Sequence, residues 1–118
     1  MRIISFTEMW PKLSKPEFTT YRFPRKDFDR GRDWHLGENL WAYYRSRSPA
    51  RKCLGVVRIV DKSSTWVTAI DDAAAVDDGF PGGISEMTDW LEKAHKCKID
   101  QTTRINKLTL QWLERSSR

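Results

Sequence analysis

The chain opens with bulky, β-favouring residues, Ile3, Ile4 and Phe6, that predict a short strand over residues 2–6. Thr7 is placed to cap a helical turn over residues 10–13, which Pro11 confines to its first positions. A β-branched and aromatic run over residues 18–23 predicts a second strand, stopped by Pro24. The polar stretch 25–37, with Gly31 and Gly37 at turn positions, reads as a loop. A strand over 38–44 follows, with Leu40, Ala42 and Tyr44 on one face and Asn39, Trp41 and Tyr43 on the other. After a basic loop turned by Ser48-Pro49, the run CLGVVRIV (53–60) predicts a strand buried on both faces, and 66–70 continues the sheet.

The period then changes from two to nearly four. DDAAAVDD (71–78), closed by Gly79, suits a two-turn helix with a left-handed cap. Ile84, Met87, Leu91 and Ala94 mark a longer helix over 85–96, acidic at its start and basic at its end. A last strand over 105–112 puts Leu108, Leu110 and Trp112 on one face. That face is buried only if the strand returns to the earlier sheet. The expectation is one α+β domain over 1–118: a small mixed-strand β-barrel with a helical pair packed over its open side. Trp41, Trp66, Trp90 and Trp112 are expected in the core.

Length and composition restrict the function. The 118 residues suffice for one core, and six Trp argue against disorder. No apolar run approaches the roughly 18–20 residues of a membrane span, and the apolar stretch near Met1 is too short for a signal peptide, so a cytoplasmic protein is expected. Cys53, Cys97, His35 and His95 show no ligand spacing, so neither a metal nor another cofactor is implied. Ser46 and Ser48 have no plausible triad partners, and Gly79, Gly82 and Gly83 fit no phosphate-cradling motif. The charge is uneven: residues 1–58 carry 13 Lys/Arg against 6 Asp/Glu, and residues 59–118 carry 8 against 10. A basic half of this kind points to a polyanionic partner.

Three groups can meet such a partner. Arg22, Arg25 and Lys26 form the tightest basic cluster, unless Arg22 is a structural arginine paired with a carboxylate such as Glu38. Arg45, Arg47, Arg51 and Lys52 flank a turn beside Tyr43 and Tyr44, and cations beside rings suit single-stranded nucleic acid. Trp34, in the polar loop, is the best candidate stacking ring, with Tyr43, Trp41 and Trp10 as alternatives. Arg22 and Arg47 can serve one cleft only if the intervening strands bring them together.

Four stretches in order resemble the ASCH domain, a branch of the PUA-like superfamily of small barrels. They are Thr20-Tyr21-Arg22, Gly37 to Tyr44, the basic hairpin from Arg45 to Val60, and Asp78-Gly79-Phe80 followed by Glu86 and Trp90-Leu91; Leu108 to Trp112 fits the closing strand. The resemblance covers about residues 2–113. It implies an RNA- or nucleotide-binding cleft between barrel and helices. Some members of the family hydrolyse acetylcytidine with a Lys, a Thr and a Glu. Thr20 matches the Thr, but Glu17 stands where the Lys would be, which points away from catalysis. An enzyme would need Lys15 as the displaced amine, with Asp71 or Asp72 as the nearest carboxylate. A basic adaptor for an acidic protein is the third expectation.

Overall fold

The computed structural model describes residues 1–23, 33–96 and 98–115. Arg25 and Lys26 of the expected basic cluster, together with Cys97, lie outside the described residues. Five strands, β1 (Arg2–Phe6), β2 (Glu17–Arg22), β3 (Asn39–Tyr44), β4 (Lys52–Trp66) and β5 (Arg104–Arg115), form one mixed sheet in the order β1-β3-β4-β5-β2. Only β1 and β3 run parallel; the other neighbours are antiparallel. Two helices, α1 (Asp72–Asp78) and α2 (Ile84–His95), sit between β4 and β5 in the chain.

The barrel expected from the sequence does not close. β1 and β2 are the two sheet edges, and no ladder joins them. The sheet nonetheless curls until these edges meet through side chains. The rings of Phe6 and Phe18 pack edge to face at 5.9 Å, and Arg22 Nη1 at the end of β2 donates to the Ser5 carbonyl of β1 at 2.8 Å. Phe6 O accepts from Arg45 N on the β3 side. Because successive carbonyls alternate along a strand, Ser5 O faces the other way, towards the gap.

Two further expectations are corrected. The separate strand expected over 66–70 does not form: Trp66 is the last residue of a single 15-residue β4, and Val67–Ala69 is a 3₁₀ turn. β4 is also not buried on both faces: Gly55, Val57 and Ile59 are buried, whereas Arg58 and Val60 are exposed. An unbroken apolar run looks the same whether its second face is covered or half open. The helical turn near Pro11 is a 3₁₀ turn at Pro11–Ser14, with the proline in its first turn as its missing N–H requires.

The helices are fixed by local chemistry. Asp71 caps α1 by accepting from Ala74 N at 2.7 Å, and Asp72 reaches forward to accept from Ile84 N at 3.0 Å, tying the start of α2 to α1. Gly79 ends α1 in the left-handed region at φ 118°, where a Cβ would also lie 3.0 Å from the Trp10 ring. One core lies within the curl, built on Ile4, Leu40, Ile59, Leu108 and Leu110. A second joins the helices to the sheet through Tyr21, Ala75, Phe80, Met87, Leu91 and Ile105. Trp10 packs against both. Two of the four tryptophans expected in the core, Trp90 and Trp112, are half-buried against it, but Trp41 and Trp66 are exposed, Trp66 beneath the Arg104 guanidinium at 4.4 Å.

Backbone packs closely on Gly55, next to an irregularity in the β4–β5 register. Its φ is 136°, and a Cβ there would lie 2.1 Å from the Glu114 carbonyl oxygen. Gly55→Ala is therefore expected to destabilise the protein by at least about 2 kcal/mol in denaturant unfolding. A loss below about 0.5 kcal/mol would mean that the pairing slips to make room.

Candidate ligand-binding cleft

Where the gap between β1 and β2 meets α2, the surface sinks into a cleft of about 170 Å³. Three rings, Trp10, Phe80 and Trp90, form one wall and pack on each other with centroids 5.2 to 5.9 Å apart. Thr20, Tyr21 and Arg22 of β2 form the opposite side, Ser5, Phe6 and Thr7 line the β1 side, and His95 stands at the C-terminal end of α2.

Strand alternation places Thr20 and Arg22 on the same face of β2 as Phe18. Arg22 stacks its guanidinium over the Phe6 ring at 4.8 Å. Its Nε donates to Thr20 Oγ1 at 3.2 Å and its Nη1 to Ser5 O at 2.8 Å. No described residue accepts from Nη2, and no described carboxylate forms an ion pair with Arg22. Burial brings the guanidinium down to about 10, with the Asp78 charge opposing the shift, so Arg22 remains a cation at neutral pH. The carboxylate considered for it, Glu38, is instead paired with Arg2, and that pair ties β1 to the turn before β3.

A buried ion pair also lines the cleft. Lys12 Nζ donates to Asp78 Oδ1 at 2.9 Å, with both side chains less than a tenth exposed. Burial pushes the Lys12 ammonium down and the Asp78 carboxyl up, and each charge opposes the other's shift. Burial, and then Arg22, push His95 below the usual histidine range, so its imidazole is neutral at pH 7. The Lys12 and Asp78 charges cancel, and Arg22 is left as the uncompensated cation among the described groups of the cleft.

The other candidate residues are distributed as follows. Trp34 is in the core of the curl, 6% exposed, beneath the Arg2 guanidinium, and does not face the cleft. Lys15 lines a separate cavity of about 110 Å³ with Glu17, Thr19 and Asp77, so it does not join Thr20. Asp71 and Asp72 are occupied in capping the helices. Arg45 and Arg47 border an open depression next to the cleft, and Tyr43 is half-buried on β3 opposite Ser5 and Cys53. Arg51 is exposed beyond that turn, its backbone N–H bonded to Ser48 O.

Sequence reasoning missed Lys12 and Asp78 as site residues, and of the aromatic wall it offers only Trp10 as a stacking ring. One signal was available. An acidic residue in the last turn of a helix opposes the helix dipole. Asp78 therefore needed a cation, although nothing in the sequence named Lys12, 66 positions away.

The pair generates a test with a definite pH dependence. Lys12→Met leaves Asp78 buried without its counter-ion and is expected to lose about 3–5 kcal/mol at pH 7. Burial holds the folded-state pKa of Asp78 above its unfolded value, so protonation favours the folded variant. The deficit should shrink as pH falls towards 4 and widen as it rises. Lys12→Met/Asp78→Leu should recover most of the loss. Denaturant unfolding at both pH values, with a double variant no better than the single, would show that the two charges are not coupled.

In comparisons with known proteins, no family model, no curated protein and no solved structure matches the chain.

Proposed function

We propose that the protein is a nucleotide-binding module, with RNA as its natural source of nucleotides, whose cleft holds one base against Trp10 and Trp90 and one phosphate on Arg22. The observation that carries this reading is the Arg22 guanidinium: half-buried, still charged, with Nη2 unused by any described residue, across the cleft from a wall of three rings. A planar ring joined to a single anionic group matches both features, through stacking on one side and a charge-assisted hydrogen bond on the other.

The relation to the ASCH and PUA-like domains is part of the same proposal. Its supports are the curled mixed sheet, the helix pair, and the position of Thr20 and Arg22, the T-x-R residues, at the cleft between them. Among the described residues no helix is long and apolar enough to cross a membrane. A cytoplasmic site of action fits an RNA ligand and the free Cys53 thiol.

A second reading, hydrolysis of a nucleoside amide such as acetylcytidine, is favoured by one observation: Lys12 and Asp78 line the same cleft as Thr20. It ranks second because Lys12 donates to Asp78 and not to Thr20, and the Thr20 oxygen accepts from Arg22. No described base takes the hydroxyl proton, as a nucleophile would require. The protein is expected to release no acetate from acetylcytidine. Release abolished by Thr20→Val would reverse the order of the two readings.

The binding reading is tested by tryptophan fluorescence during titration with the four ribonucleoside 5′-monophosphates. At least one should quench saturably, and its log affinity should fall by about 0.7 per tenfold rise in salt, the slope for one phosphate contact. Arg22→Ala should weaken it at least tenfold, compared well below each protein's melting temperature. Arg22→Lys, which keeps the charge but not the planar fork, should recover only part. Equal affinity in Arg22→Ala, or no response to any of the four, would remove the proposal.

A further inference from the structure

Beside the cleft is a second basic feature that a single nucleotide would leave unused. The turn after β3 is held against the end of β1 by backbone contacts: Arg45 N donates to Phe6 O at 2.9 Å and Ser46 N to Ser5 Oγ at 3.1 Å. Within the turn, Ser48 N donates to Arg45 O and Arg51 N to Ser48 O. Arg45 adopts φ 45°, a conformation that L residues with long side chains rarely take. Together these contacts give the turn a fixed shape. It borders an open depression of about 640 Å³, flanked by Arg45 and Arg47, in which Ser5 and Thr7 are shared with the aromatic cleft. One acidic residue, Glu8, stands at its edge, and no described carboxylate is in ion-pair contact with either arginine.

The two basic sites share a single ridge. Arg22 donates to the carbonyl of Ser5, and Arg45 Nε donates to the carbonyl of Thr7 at 3.3 Å. Residues two apart lie at most about 7 Å from each other along a chain. The two guanidinium groups are therefore anchored to carbonyls two residues apart, one at the end of β1 and one just beyond it, a spacing that neighbouring phosphates of one strand can meet. Arg45 also stacks over the Tyr44 ring at 5.2 Å, which holds its head at the depression.

Building on the nucleotide-binding reading, we infer that the natural ligand is a single strand of at least two nucleotides. One nucleotide occupies the cleft on Arg22. The strand then crosses the Ser5–Thr7 ridge and lays its neighbouring phosphate on the Arg45–Ser48 turn. An extended strand fits because the depression is wide and open, with no ring-walled slot for a second base. A duplex does not fit, because a paired base cannot enter a cleft of about 170 Å³ between β1, β2 and α2.

The experiment compares each mononucleotide with the matching tetranucleotide, on the parent protein and on Arg45→Ala/Arg47→Ala. The parent should bind at least one tetranucleotide ten or more times more tightly than its mononucleotide. Its salt slope should be steeper by at least one further phosphate contact, about 0.7 per decade. In the double variant both the tenfold advantage and the extra slope should disappear. Equal affinity of mononucleotide and tetranucleotide in the parent would overturn this inference while leaving the cleft reading intact. An advantage that survives in the double variant would also overturn it, and so would matching affinity for a hexaglutamate peptide. Binding of neither nucleotide form would remove both proposals.

Discussion

The contact on which the architecture turns is the one between Arg22 and the Ser5 carbonyl. A five-stranded sheet that curls without closing leaves two rows of backbone groups facing each other, and those groups must be hydrogen-bonded or hydrated. In a closed barrel a ladder would satisfy them. In this sheet β1 is five residues long and runs parallel to β3, while β2 runs antiparallel to β5. A side chain spans the remaining distance. A guanidinium is suited to that bridge because it has five donors in a rigid plane: it can serve Ser5 and Thr20 and stack on Phe6 with donor capacity remaining. The gap that prevents a barrel is thus the origin of the cleft, and the group that spans the gap is the cleft's cation.

The cleft's charge balance depends on the Lys12–Asp78 pair. A carboxylate as deep as Asp78 and without Lys12 would compete with any ligand for Arg22. With the pair formed, Asp78 is occupied at 2.9 Å, and Arg22 feels it only at a distance. A buried pair of this kind contributes little net stability, since desolvation offsets most of the attraction. Its consequence is better sought in what it leaves free. The pair also anchors the Pro11–Ser14 turn to the end of α1, which sets Trp10 against Phe80 and Gly79. Position of the aromatic wall and availability of the arginine therefore come from the same two side chains.

What was legible in the sequence follows from the range of each interaction. β1, β3 and β5, both helices and the first-turn proline were readable because periodicity, capping and proline geometry act within a few residues. Asp71 as the cap of α1 and Gly79 as its left-handed end are examples. The open edges were not readable, because whether β1 and β2 pair depends on where β5 delivers its neighbour, a property of the whole sheet. The second face of β4 was misjudged for the same reason: Arg58 and Val60 are exposed because nothing covers that side. At the site, Thr20 and Arg22 were legible as two positions of one short stretch of the second strand, whereas Lys12 and Asp78 were not, since each looks like an ordinary surface charge until the other is placed beside it. Trp34 misled by its polar setting. Asp33 and Trp34 sit where Lys62 donates to the Asp33 carboxylate and the Trp34 carbonyl, and Asn106 donates to Asp33; this polar network turns the indole inward.

The same range argument explains why the two basic sites are adjacent although Arg22 and Arg45 come from different parts of the chain. Parallel pairing of β1 with β3 aligns Phe6 with Tyr44, so the residue after β3 must emerge beside the residue after β1. On the opposite edge, curling brings the end of β2 to Ser5. Both ends arrive at the last residues of the shortest strand, one from each side. A change in the β1–β3 register by a single residue would carry Arg45 away from the Thr7 carbonyl and exchange the buried and exposed faces of β1, moving Ile4 and Phe6 out of the core. The hydrophobic alternation that buries Ile4 and Phe6 is therefore also what sets the distance between the two arginines.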